Sequence, residues 1–197
     1  MRYVFPATVG ALAFVFYVTT QSGISWVRIV SKSFAASAVV LLAVTLGISG
    51  LALFFPTSAK SLTAHKKTWG LIGFGFALLH AGLAFSDPLM QNVSIALSRY
   101  NVRLGLMALL VFAALAVTSN KVSKRILGDH WKDLQRAGYV GLGLVFADLL
   151  VLGDGTFIRT PIGGLLLIVV LAALAFGIYH WFQGRKQEGT EIFSNEK

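Results

Sequence analysis

The chain contains no cysteine, which removes disulfides, thiolate metal sites and thiol nucleophiles in one step. Charge is scarce as well: 13% of the 197 residues are Asp, Glu, Lys or Arg, and the acids number only 8 against 17 bases. A surface with so little charge does not suit water. Proline is rare, at 4 residues, and Pro56, Pro88 and Pro161 fall at the edges of apolar runs, where a helix breaker does least harm. No HExxH, Walker A loop, GxGxxG fingerprint or hydroxyl–histidine–acid motif is present. Those absences argue against a self-contained hydrolase, a nucleotide-driven transporter and any dinucleotide or flavin domain on this chain.

Long apolar runs fill the sequence instead. Hydrophobic residues make up 56% of it and the mean hydropathy is +0.74. A bilayer crossing takes roughly 20 apolar residues, and the chain reaches that length repeatedly. Six spans are expected, at about residues 3–20, 34–55, 68–85, 104–119, 137–152 and 162–182. The fold class that follows is all-α: a polytopic six-helix membrane bundle forming one domain over residues 1–183, with a flexible polar tail at 184–197. Residues 1–20 resemble a secretory signal, but Gln21-Ser22-Gly23 makes a poor cleavage site, so a retained first helix is expected.

The net charge of +9 does not imply nucleic acid, because the bases sit in short loops between apolar runs. The termini and the second and fourth loops hold 12 of the 17, and the other three loops hold only Arg28, Lys32, Arg99, Arg103 and Arg159. That imbalance places both termini in the cytoplasm, as an even number of spans requires. Two outer loops look interfacial. In residues 89–100, Met90, Val93, Leu97 and Tyr100 share a helical face, which fits a short helix on the membrane surface or a loop folded over the bundle. Residues 24–30, with Trp26 and Arg28, read as an aromatic anchor. Glycines within spans, such as Gly47, Gly70, Gly73, Gly138, Gly141 and Gly143, suit close helix approach.

Two residues stand out chemically. His80 lies twelve residues after Thr68, and Asp148 twelve after Arg136, on spans that run in the same direction. At 1.5 Å rise per residue both sit roughly 18 Å into the membrane. They are the histidine and the acid that lie well inside spans, where an unpaired polar group is costly. Facing each other they form either a binding site, with Asp148 orienting the imidazole, or a pair that only locks two helices together. Nearer the cytoplasm, Lys66, Lys67, Gln135 and Arg136 define a second level. The cations there serve as interfacial anchors, or hold an anionic lipid, a quinone headgroup or a cofactor carboxylate. His65, His130 and His180 fall at span ends, where solvated histidine is ordinary.

The run from 115 to 139, LAVTSNKVSKRILGDHWKDLQRAGY, resembles the fourth-to-fifth-span connection of the bacterial ferric-reductase-like transmembrane domain family. The matching residues are Ala116, Thr118 and Ser119, then Leu127, Gly128, His130, Trp131 and Leu134, then Tyr139. In the third span, two basic residues, Gly70-Leu71 and Leu79-His80 are in register, and the likeness covers about residues 35–183. The resemblance implies an inner-membrane bundle that holds haem b and passes electrons from quinol or a cytoplasmic flavoprotein to an outer-face partner. It implies His80 as the third-span haem ligand. The family's two fifth-span histidines map to Gln135 and Asp148, and neither supplies the second imidazole that bis-histidine haem needs.

Two functional expectations follow from the resemblance. One is an accessory subunit, with no cofactor, that docks onto other membrane subunits of a redox complex. The other is an electron-transfer subunit with one tetrapyrrole on His80. A small-solute transporter would need interrupted spans with more internal polar groups than this chain has.

Overall fold

The structure is a computed structural model that describes residues 2–21, 23–55, 61–86, 92–128, 130–151 and 159–194, with side chains left undescribed at 50, 53 and 180–194. Pro56, Lys60, Pro88 and Met90 lie outside the described residues, as do the side chains of His180, Arg185 and Lys186. The described chain is all helical. Helices α1 (Val4–Thr20), α2 (Trp26–Phe54), α3 (Lys66–Phe85), α4 (Val93–Ser98), α5 (Tyr100–Thr118), α6 (Lys121–Leu127), α7 (His130–Val151) and α8 (Pro161–Ser194) follow in order. Five of them, α2, α3, α5, α7 and α8, are long and apolar enough to cross a membrane, and α1 is a shorter apolar helix. The chain is a multi-pass membrane protein.

Local chemistry sets the helix ends. Pro6 sits in the first turn of α1 and Pro161 opens α8, positions whose N–H groups have no intrahelical partner to lose. Thr160 Oγ1 accepts from the Gly163 N–H at 3.1 Å, ahead of the α8 start. Asn92 caps α4, and Asn120 caps α6 by accepting from Ser123 N–H at 2.8 Å. Gly128, at φ +52°, ends α6 in a conformation that a side chain would strain.

Several elements differ from the sequence expectation, among them α7, which starts at His130 instead of near residue 137. α2 starts at Trp26 instead of near residue 34, so the expected aromatic anchor is its first turn. The loop after α5 contains a helix, α6, that apolar runs alone could not show. α8 continues to Ser194, through most of the segment expected to be a flexible tail. The short helix expected within 89–100 is present as α4, with Val93, Leu97 and Tyr100 exposed.

α2 is the axis of the bundle. It packs along α3 and α8 and also meets α1 and α7; α5 pairs with α7, and α3 and α8 each bridge to one of that pair. Leu41, Ala43, Leu142 and Val170 are fully buried at these seams. Lipid is as apolar as leucine, so such seams are held by van der Waals fit and not by water exclusion. Glycine makes that fit possible. A Cβ on Gly73 would stand 3.0 Å from Leu41 Cβ, one on Gly138 2.8 Å from Leu46 Cδ2, and one on Gly177 2.1 Å from the Tyr139 ring. The Tyr139 hydroxyl, held by that cleft, donates to the Leu46 carbonyl at 3.1 Å and ties α7 to α2.

Gly177→Ala should therefore displace the Tyr139 ring and lower stability by about 1–3 kcal/mol, the usual range for overpacking. Gly143→Ala, with no side chain or backbone within 4 Å of the new methyl, should stay within about 0.5 kcal/mol of the parent. Thermal unfolding of both variants in the same detergent checks the pair.

Candidate functional site

His80 projects from α3 toward α2. Its Nδ1 lies 3.0 Å from the Ser31 carbonyl oxygen and 2.9 Å from Ser31 Oγ. A carbonyl oxygen can only accept, so Nδ1 carries the proton and donates it. The Ser31 hydroxyl, 3.4 Å from the His80 carbonyl oxygen, donates a longer bond back to the α3 backbone. Ser31 itself is buried. This arrangement fixes the imidazole tautomer and leaves the lone pair on Nε2, the form in which histidine ligates a metal.

Asp148, on α7, takes no part in it. The hydrogen bond that a shared depth allowed between His80 and Asp148 is absent, because α3 turns the ring to α2. Among the described residues the Asp148 carboxylate makes no hydrogen bond or ion pair. No group of three His, Asp or Glu side chains among the described residues gathers as a multi-ligand metal site would require.

The second level is also organised on α2. Lys66 Nζ donates to Ser49 Oγ, so this lysine is drawn into the bundle instead of anchoring at its edge. One turn further along α2, buried Thr45 faces Gly70, whose Cβ position is 3.1 Å from Thr45 Cγ2. Thr45 Oγ1 and Gln135 Nε2 are both buried with no hydrogen-bond partner among the described residues. Lys67 is exposed, and Arg136 pairs with Asp133 at 2.7 Å on the exposed face of α7. Of the four residues expected at this level, Lys66 and Gln135 thus lie inside the bundle, and Lys67 and Arg136 do not.

His65 lies at the α3 start with its ring 5.8 Å from that of Trp69, and His130 is exposed at the α7 start. The N-terminus closes over the same end. Trp69 Nε1 donates to the Arg2 carbonyl at 3.0 Å and Arg2 Nε to Thr68 Oγ1 at 3.0 Å. An apolar cavity of about 360 Å³ lies elsewhere, between α1, α2 and α8, lined by Phe16, Val40 and Leu166 among others.

Sequence reasoning did not find Ser31, Ser49 or Thr45. A usable signal was present for Ser31. The apolar residues Trp26, Val27, Ile29 and Val30 carry the helical pattern back beyond residue 34, which brings Ser31 onto the same helix as the core positions.

No family model matches the chain. Over 94 residues, 45% of this chain, it is 38% identical to the magnetosome protein MamZ of Magnetospirillum gryphiswaldense. The match covers 14% of that protein, so the chain spans only a small part of its relative.

The tautomer is directly measurable. In protein labelled with ¹⁵N-histidine, the His80 signals, assigned by their loss in His80→Gln, should show a protonated Nδ1 and an unprotonated Nε2. A protonated Nε2 with a bare Nδ1 would contradict the Ser31 geometry.

Proposed function

We propose that the chain is a ferric-reductase-like protein of the bacterial inner membrane that acts as an accessory subunit of a membrane redox complex. In this reading it has six spans, with α1 as the first, and both termini lie in the cytoplasm. The distribution of 12 bases against 5 supports that orientation. The third-span and fourth-loop motifs, and the partial likeness to a bacterial protein, support the family.

The observation that carries the accessory role is the incompleteness of the ligand set. The positions that match the family's fifth-span histidines hold an amide and a carboxylate, and the remaining imidazole is already fastened to Ser31. The residues do not fit bis-histidine haem. A buried histidine whose Nδ1–H is satisfied can stay in a bundle as a helix–helix clamp, with no cofactor to retain it. What the fold still offers other membrane subunits is a packed bundle whose outer faces carry exposed apolar side chains such as Leu78, Leu110 and Val140.

One specific observation favours a second reading. With Nδ1–H held by a backbone carbonyl, Nε2 is the basic nitrogen, and a single tetrapyrrole iron fits that donor on one side. Such a group supplies one-electron transfer, between quinol or a cytoplasmic flavoprotein and an outer-face acceptor. In that case Ser31 would orient the ligand, Asp148 would be the polar group at the depth of His80 and not a nitrogen ligand, and Gln135 would belong to the second level, thirteen residues away on α7.

Absorption spectra and native mass separate the two. Protein purified from haem-replete membranes should show no Soret band and should migrate, before partners are stripped, in an assembly well above the 21.2 kDa of the chain. A Soret band that disappears in His80→Ala would overturn the accessory role and establish the second reading.

A further inference from the structure

We propose that α6 is an interfacial helix that recruits anionic phospholipid headgroups to the junction between α5 and α7. α6 joins two helices long enough to cross a membrane, so it lies at the level where those helices leave the bilayer. Its ends are held together: Trp131 Nε1 donates to the Thr118 carbonyl at 3.2 Å, across the whole of α6. The two points from which α6 departs and to which it returns are thus held together at the bundle end.

Its faces then decide what it meets. Val122 and Ile126 are 66% and 78% exposed, one turn apart on the same side. At about 100° per residue, Lys121 and Arg125 border that apolar pair, while Ser123 and Leu127 turn toward the protein. Lys124 lies on the far side, with its Nζ 5.4 Å from the centre of the Trp131 ring. α6 itself contains no acid, and residues 121–136 hold five cations against Asp129 and Asp133.

The combination selects the partner. Cations alone would suit an acidic protein as well as a lipid. Two bare aliphatic side chains with Arg125 and Lys121 along one edge match a boundary with acyl chains below and phosphates at its rim. Cationic side chains next to an anionic leaflet contribute about 1 kcal/mol each, so the cluster should enrich negative headgroups and not merely tolerate them. The inference rests on α5 and α7 crossing the bilayer and is independent of whether His80 holds a cofactor.

The absence of cysteine makes the test clean. The full chain carrying Ile126→Cys with an environment-sensitive fluorophore is placed in nanodiscs containing nitroxide-labelled phosphatidylglycerol or nitroxide-labelled phosphatidylcholine. Quenching should be stronger with the anionic lipid and should weaken as salt is raised. The preference should fall by up to about fivefold for each cation removed in Lys121→Gln and Lys121→Gln/Arg125→Gln. Equal quenching by the two lipids would overturn the lipid selectivity. No quenching by either, including a label shielded only on adding an acidic protein, would overturn the interfacial placement.

Discussion

A polar side chain buried in a membrane bundle has no water to turn to, so its partner must come from the protein. α2 is where that constraint bears hardest. It is the most enclosed helix, yet Ser31, Ser33, Ser37 and Thr45 are all buried along it. Ser33 and Ser37 answer to their own helix, donating to the carbonyls of Ile29 and Ser33. Ser31 instead reaches across to His80, and Ser49 receives Lys66. α3 is therefore fixed to α2 at two points fourteen residues apart on its own length, which sets both its rotation and its depth.

The chemistry of the site descends from that rotation. With His80 turned to α2, its Nδ1 proton is committed and Nε2 is the basic nitrogen. α7 is attached differently, through Tyr139 to the Leu46 carbonyl and through the glycine seam at Gly138. Of its two candidate residues, Gln135 has a buried amide nitrogen with no hydrogen-bond partner among the described residues, and Asp148 does not reach His80. The bundle thus holds His80 in one well-defined orientation toward α2 and keeps the polar residues of α7 apart from it.

Much of the fold was legible in the sequence. Apolar run length located the long helices, and the glycines at 70, 73, 138 and 141 stand at close approaches as expected, whereas Gly75, Gly105 and Gly143 face open space. Helix starts were harder. A second span that starts at residue 34 leaves Ser31 and Lys32 in a loop, so the acid at equal depth, and not Ser31, reads as the partner of His80. The error was one of boundary, and it changed the chemistry. α6 escaped for another reason. Its seven residues bury too little apolar surface to give a periodic signal, and only Asn120 and Gly128 marked its ends. Tertiary placement of Thr45 and Gln135 left no trace in the sequence, because nothing local distinguishes a threonine or glutamine inside a bundle from one at its edge.

The pairing of α2 and α3 at Ser31 and His80 sets the rest, and the cysteine-free chain allows it to be tested in native membranes. Ser31→Cys/His80→Cys should form a disulfide rapidly on mild oxidation, because the Ser31 hydroxyl oxygen lies 3.4 Å from the His80 carbonyl oxygen and the backbones are correspondingly close. His80→Cys/Asp148→Cys should stay reduced under the same conditions. Rapid crosslinking of the second pair, with the first remaining reduced, would contradict the account.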